Sequence, residues 1–519
     1  MFNWFRRGRP LQLAISATCS AAFILFGYDQ GVFSGIIGNQ DFLDTFGHPN
    51  DTRMGIMFVK ANLLEVGLKL TRSPSVSSYN LGCFAGCVIT FIVGDTLGRR
   101  RAMWLAMSLI TIGATLQTTA YSVPHVIIAR VVTGFGTGME TSTVPMYQSE
   151  LCKPEYRGRI VATEPMFVGI GIVTAYWFDY GMNFISPTSS VASVAWRLPI
   201  AFQIAFTIIV GVLIFGVPES PRWLYQQHRD DEAIKVLCDV YDLQPGDPAI
   251  MRESEDIKEA MRLEEENSFQ WRNLLQRDSV QTGRRVLLAW GMQFMNQVGG
   301  INLVVYYLPT ALTDNVGVSR NLALILSGCI NIMFPLGSLL PSFFLDQMGR
   351  RQPMMWCSLL LAVCMACIAA LLSFRGTDVE RPTAMASVAF FFLYQLIFGA
   401  GPNCIPWVYV PEILPLHARA KGTAIGISSN WIWNFTIVMI TPIILNRLQW
   451  KAYLIFVVTN TLFVPLVYFF YPETTRLSLE EIDLLFLKHN AVKASLDRSW
   501  LVRHDIEATF REKEKASVE

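Results

Sequence analysis

Charge is scarce in this chain. Only 16% of its 519 residues are Asp, Glu, Lys or Arg, and 52% are hydrophobic. A soluble domain carries roughly a quarter of its residues charged, so an ordinary water-soluble fold is a poor fit. Lys plus Arg number 42 and Asp plus Glu 41, leaving a formal charge of +1. No basic domain exists, and nothing supports nucleic acid as a partner. Histidine is equally sparse, with six scattered residues and no Cys/His cluster, so no metal site is expected. The ten cysteines form no framework. Cys83 and Cys87, and also Cys364 and Cys367, share helical faces within apolar runs, as small packing residues do. No Ser-His-Asp or Cys-His arrangement points to an enzyme. Gly134, Gly136 and Gly138 lack the preceding strand a nucleotide loop needs, so no cofactor is expected. These glycines read instead as a thinned helix surface for close neighbours. No cleavable signal is read: the first apolar run is too long and lacks a small-residue cleavage site.

What the chain has is long apolar runs. A helix needs about 20 apolar residues to cross a bilayer. Twelve stretches qualify: 11–37, 76–94, 102–121, 124–147, 160–183, 197–217, 285–313, 321–345, 353–374, 384–410, 421–446 and 452–471. Short connections after the second, fourth, eighth and tenth carry Arg99-Arg100-Arg101, Lys153/Arg157/Arg159, Arg350-Arg351 and Arg419/Lys421. The N-terminus adds Arg6, Arg7 and Arg9. The positive-inside rule then predicts cytoplasmic termini and an even number of spans.

The rare charges repeat. Asp95-Thr-Leu-Gly-Arg99-Arg100 is answered by Asp346-Gln-Met-Gly-Arg350-Arg351. Glu150 precedes Arg157 as Glu412 precedes Arg419, and Pro218-Glu219-Ser-Pro-Arg222 is answered by Pro472-Glu473-Thr-Thr-Arg476. Three motifs in one order imply two homologous halves. The predicted fold is all-α, twelve transmembrane helices in two pseudo-symmetric six-helix bundles. Its expected units are residues 1–218, a cytoplasmic linker 219–283 with helical patterning at Asp231–Tyr241 and Glu253–Glu266, residues 284–472, and a tail 473–519 whose last dozen residues have a disordered composition. Duplicated bundles of this kind place a solute site between the halves. The carboxylates and arginines read as a cytoplasmic gate of ion pairs, not as orientation signals alone.

The ordered motifs resemble the sugar porters of the major facilitator superfamily, most closely the fungal members. They run from Gly27-Tyr-Asp29 through Gly94–Arg100, Arg130–Gly138, Pro145–Glu150, Arg157-Gly-Arg159 and Pro218–Leu224. In the second half they are Asn296–Asn302, Gly328–Asn331, Asp346–Arg351, Trp407–Glu412, Asn430–Asn434 and Pro472–Thr474. The resemblance spans residues 11 to about 485 and implies transport by alternating access. It also implies that Asp29 and Arg130 face each other and couple a proton to the cycle. A guanidinium beside a carboxylate favours the charged form, and separation in a dry site favours the acid. An intramembrane acid is in any case a functional candidate; the competing reading is a permanent ion pair holding two helices.

For the solute, Gln297 and Asn302 offer both donor and acceptor, as sugar hydroxyls require. Asn296, Asn331 and Asn434 add amides, Tyr306 shares a face with Asn302, and Phe26 and Trp407 suit the C–H side of a ring. Three positions depart from the family. Asn296 stands where a glutamine is usual. Pro165, preceded by Glu164, occupies the place of a sugar-contacting glutamine, and Glu164 is a candidate replacement acceptor. Pro402 or Ala400 falls where a tryptophan is common. These departures put ordinary glucose recognition in doubt. The expected cargo is a sugar or related polyol with a proton; uniport and another hydroxylated solute, such as quinate or a disaccharide, are alternatives. A non-transporting sugar sensor is a further alternative, disfavoured by the short tail. The expected location is the plasma membrane, acting as a monomer. Between Gly38 and Ser75 the first connection is longer than the family suggests. Residues 57–74 read as an inserted surface helix or as a retained intron, which transcript sequencing distinguishes. Asn50-Asp-Thr52 is a glycosylation acceptor pattern.

Overall fold

The computed structural model describes residues 4–46, 78–152, 157–186, 191–266, 278, 280–415, 418–475, 477, 479–487 and 491–496. Asn50, residues 57–74 and the last dozen residues lie outside them, as do the side chains of Asp95 and Arg157.

The described chain is helical. The first half runs α1 (Arg9–Ile36), a short α2 (Gln40–Thr45), α3 (Ser78–Leu97), α4 (Arg99–Thr118), α5 (Val123–Leu151), α6 (Arg157–Met182) and α7 (Val194–Gly216). Three helices follow on the linker: α8 (Pro221–Gln226), α9 (Asp230–Tyr241) and α10 (Pro248–Glu266). The second half runs α11 (Thr282–Val298), α12 (Ile301–Ala311), α13 (Arg320–Met348), α14 (Arg351–Leu372), α15 (Glu380–Ala400), α16 (Ile405–Ile413), α17 (Arg419–Leu448) and α18 (Ala452–Phe470). In the tail, α19 (Leu479–Leu487) and α20 (Ala491–Leu496) fold back on the same end.

All twelve predicted stretches are helical, but two are not continuous. The stretch expected over 285–313 is broken between α11 and α12, where Gly300 takes φ +107. Only glycine adopts that backbone freely. The stretch over 384–410 is broken between α15 and α16 at Gly401–Cys404. Pro402 removes one helical N–H there, and Pro406 restarts the helix in its first turn. Broken helices free backbone carbonyls at membrane depth, and such carbonyls persist only where protein or a cavity satisfies them.

The helix pairings repeat between the halves. In the first half α3 packs on α5, α1 on α6, and α4 on both α5 and α7. In the second half α13 packs on α15, α11 on α17, and α14 on both α15 and α18. Each pairing is the counterpart of one in the other half, which is the pseudo-symmetry expected of duplication. Contact between halves runs through α6–α13, α3–α17 and α1–α12. Small residues permit the tightest approaches. A Cβ on Gly134 or Gly138 would lie 2.1 or 2.0 Å from the Tyr79 or Cys83 carbonyl oxygen of α3. Gly136 turns the other way, toward Ala106 and Ile110 of α4. The three glycines therefore let α5 sit between two neighbours at backbone contact.

Candidate functional site

At the rim next to the termini the repeated charges form two matching clasps. Arg99 holds Glu150 with its side chain (Nη2–Oε1 3.1 Å), while the backbone N–H groups of Arg99 and Arg100 donate to Glu219. In the second half Arg350 holds Glu412 at 2.7 Å, and the N–H groups of Arg350 and Arg351 donate to Glu473. Even the flanking bonds agree: the Tyr147 hydroxyl donates to the Pro218 carbonyl and Tyr409 to that of Pro472. The glycine before each arginine pair has a reason. Gly98 and Gly349 take φ +84 and +79, and a Cβ on Gly349 would sit 2.7 Å from Glu473 Oε2. Asp346 reaches Arg350 at 3.4 Å from an exposed position. Arg222 and Arg419 are half-buried at the same rim. Each of these pairs closes within one half or the other.

The seam is crossed elsewhere. Toward the opposite rim the Ser34 hydroxyl of α1 donates to Tyr176 on α6, which donates to the Val305 carbonyl of α12. Arg320 of α13 reaches the Gly35 carbonyl at 3.0 Å and Asn183 at 3.2 Å. Asn183 in turn donates to Asn321. Asp179 accepts from the Gly35 N–H. Nearer the middle, Asn80 donates to Asn434 at 2.9 Å. Of these residues only Asn434 was singled out from sequence.

Asp29 and Arg130 do face each other. They are 1% and 2% exposed, and Arg130 Nη1 meets Asp29 Oδ1 at 3.1 Å. The guanidinium lies between two rings, Phe33 at 4.4 Å and Tyr79 at 4.2 Å. This geometry fixes the cation by stacking and leaves Asp29 Oδ2 with no hydrogen bond. The pair is one-pronged, with a single hydrogen bond joining the two side chains.

In the second half the amides join into one chain. Asn302 donates to Gln297 Oε1 at 2.9 Å, and Gln297 to Asn296 Oδ1 at 2.7 Å. Asn430 donates to Asn296 at 3.3 Å and to Gln293 at 2.8 Å. Asn296 spends its own N–H₂ on the Pro402 carbonyl. The cluster thus spans α11, α12, α17 and the break before α16. Asn331 is tied inside its half, accepting from Gln395 and donating to Ser327. Tyr306 is buried on α12, Trp407 is half-buried on α16, and Phe26 meets Trp431 edge-on at 5.8 Å across the seam. Glu164 is 5% exposed, and its Oε1 has no partner. The neighbouring Pro165 carbonyl accepts from Asn403 at 3.5 Å.

Sequence reading passed over Gln293, Asn430 as a cluster member, Asn403 and Glu140. Glu140 carried a signal, an acid inside a membrane-length stretch. Gln293 and Asn403 gave none, because only the packing of helix breaks decides which amides meet.

Comparison with known proteins identifies the family and the fold. The family of sugar (and other) transporters matches residues 14–486. The MFS-type transporter oryC of Aspergillus oryzae is 37% identical over 96% of this chain and 89% of its own. Sugar transporter STL1 of Saccharomyces cerevisiae is 32% identical, covering 94% and 83%. A quinate permease of Neurospora africana is also 32% identical, covering 93% and 90%. Among solved structures, the proton:xylose symporter XylE bound to 6-bromo-6-deoxy-D-glucose superposes with a TM-score of 0.74 at 22% identity, covering 92% of this chain and 99% of that one. The inward-open form of XylE from E. coli gives 0.70 at 20% identity, covering 91% and 99%. Sequence match and fold agree, and the chain belongs to the sugar (and other) transporter family, with the twelve-helix major facilitator fold of a multi-pass membrane protein.

Proposed function

We propose that the protein carries a polyhydroxylated solute, a sugar or polyol, across the membrane by alternating access, together with a proton held at Asp29. The observation that carries this reading is the division of labour across the seam. One half buries a one-pronged acid–guanidinium pair, and the other presents a continuous amide chain. Amides that both donate and accept match hydroxyls. A lone acid that exchanges its arginine for a proton links protonation to the positions of α1 and α5. Phe26 and Trp407 are suited to the C–H face of the solute, with Tyr306, Asn331, Asn434 and Glu164 on its periphery.

The matched clasps at Glu150/Arg99/Glu219 and Glu412/Arg350/Glu473 act as rim machinery, stiffening each half so that it rocks as a body. Asp95, Arg100, Arg157, Arg222, Asp346, Arg351 and Arg419 belong to the same rim. The rocking units are residues 1–218 and 284–472, joined by the linker 219–283 and followed by the tail 473–519. The basic rim faces the cytoplasm, with both termini, and the protein works as a monomer in the plasma membrane.

Uptake of labelled sugars into transporter-deficient yeast, with and without a protonophore, tests this reading. Accumulation above the external level that collapses with the protonophore is expected. Protonophore-resistant uptake unchanged in Asp29→Asn would establish uniport instead. A second reading, carriage of a hydroxylated acid such as quinate, draws support from the three rearranged positions Asn296, Pro165 and Pro402. A panel holding both sugars and quinate decides between the two.

A further inference from the structure

One buried acid has no task in this scheme. Glu140 lies on α5, is 2% exposed, and neither carboxyl oxygen accepts a hydrogen bond. It borders a narrow crevice, too tight in this state to hold a water, lined by Ala22, Phe23 and Phe26 of α1 and by Thr141 and Val144 of its own helix. Thr141 does not supply the missing donor, because its hydroxyl points to the Thr137 and Gly138 carbonyls at 2.9 and 3.3 Å. The charged group felt most strongly by Glu140 is Asp29, a second acid that Arg130 already engages.

A buried polar group without a partner costs on the order of 1–3 kcal/mol, so its persistence needs a reason. Water is a weak candidate. An ordered buried water needs two to four polar partners, and four of the five residues lining the crevice with Glu140 are apolar. A hydroxyl on a larger solute escapes that requirement, since its other groups are held elsewhere. The place for those groups is adjacent. Phe26 forms the crevice wall and touches Trp431. The next residue back along α17 is Asn430, a member of the amide chain. Phe26 and Trp431 thus connect the crevice beside the acid to α17, the helix that carries Asn430.

We infer that Glu140 is a solute-binding residue whose carboxyl accepts hydrogen bonds from hydroxyls of the transported solute, while Phe23 and Phe26 cover its C–H surface. This inference rests on the transport reading above, and its test separates the two. Wild type, Glu140→Gln, Glu140→Ala and Glu140→Met are expressed as full chains, and uptake of D-xylose, D-glucose, xylitol and quinate is measured for each. For the solute that wild type carries, KM is expected to rise about tenfold in Glu140→Ala and severalfold in Glu140→Gln, with Vmax within about twofold. A deoxy analogue lacking the bonded hydroxyl is expected to show no such KM shift between wild type and Glu140→Ala. The melting temperature of Glu140→Met in detergent without solute is expected to match or exceed wild type, because an orphan acid has been removed. Unchanged KM in all variants overturns the inference. Unchanged KM with lost accumulation also overturns it, since the acid would then serve proton movement alone. A destabilised Glu140→Met with wild-type KM makes the residue structural and overturns it too. Wild-type protein at the cell surface that takes up none of the four solutes defeats the transport reading itself.

Discussion

Asn296 donates its side-chain amide to the Pro402 carbonyl at 2.6 Å, tying α11 to the break between α15 and α16. Asn296, and Pro402 or else Ala400, are positions read from sequence as departures from the family's pattern, and the structure makes Asn296 and Pro402 partners. Pro402 interrupts a helix and exposes a carbonyl; Asn296 covers it. The third departure joins them, because Asn403, next to Pro402, donates to the carbonyl of Pro165. These contacts thus link the two halves through Asn403 and Pro165. Asn296→Leu is expected to leave the Pro402 carbonyl and the Gln297 amide without this partner, while Asn430 keeps its bond to Gln293. A loss of about 1–3 kcal/mol in stability and a KM raised about tenfold are expected, read by detergent melting and uptake kinetics. A variant with wild-type melting and wild-type KM would remove Asn296 from the site.

Asp29→Asn is expected to abolish concentrative uptake while leaving solute exchange between preloaded and external pools. The neutral amide still fills the space beside Arg130 but does not titrate. Arg130→Lys is expected to lose both activities, because an ammonium does not stack between Phe33 and Tyr79 as a planar guanidinium does. Counterflow and net uptake, measured side by side, check both outcomes. Retained accumulation in Asp29→Asn sinks the coupling role.

Glu219 and Glu473, equivalent acids of the two rim clasps, respond to pH with opposite sign. Burial raises the Glu219 carboxyl above its ordinary value, despite N–H bonds from Ser220, Arg100 and Arg99. Burial pulls Glu473 the same way. There the Thr475 hydroxyl and the N–H groups of Arg350, Arg351 and Thr475 outweigh it, holding the carboxyl below its ordinary value. A depressed acid contributes stability above its ordinary pKa and loses it as pH falls through the folded value. A raised acid contributes below its ordinary pKa and loses it as pH rises through the folded value. Glu473→Gln is therefore expected to lower the melting temperature at neutral pH, by an amount that shrinks on acidification. Glu219→Gln is expected to cost less at neutral pH than in acid. Melting curves of both variants across the acid range check the slopes, and parallel slopes would refute the assignment.

Arg320 latches the halves at the rim opposite the clasps through Gly35 and Asn183. Arg320→Ala is expected to shift the population toward the state open at that rim. Introducing Ser34→Cys, at a position now buried, gives a reporter. Labelling by a membrane-impermeant maleimide is expected to run severalfold faster in the Arg320→Ala background. Equal rates would show that the latch does not hold the closed state.

Much of the fold was legible because its cause is local. Each membrane-length run of apolar residues must satisfy its backbone within itself, and in a bilayer that means a helix. The two helix breaks were present in the letters, at Gly299-Gly300 and Gly401-Pro402, yet the surrounding apolar composition masked them. Asp29 was conspicuous as a lone charge. Glu140 has the same chemistry but stands among threonines that lower the contrast. The clasps were readable as repeated charges; that each closes inside its own half was not, since loop sequence does not say which carboxylate an arginine reaches.

By itself, the sequence determined twelve membrane-length apolar stretches, their duplication and which residues carry acid or amide chemistry within them, because hydrophobicity and side-chain chemistry are properties of single residues and short runs. Only the tertiary structure decided that Asn296 serves Pro402, that Arg130 lies between two rings, and that Glu140 borders a crevice without a partner. Those are relations between helices far apart in sequence, and packing alone sets which groups remain unsatisfied at the seam.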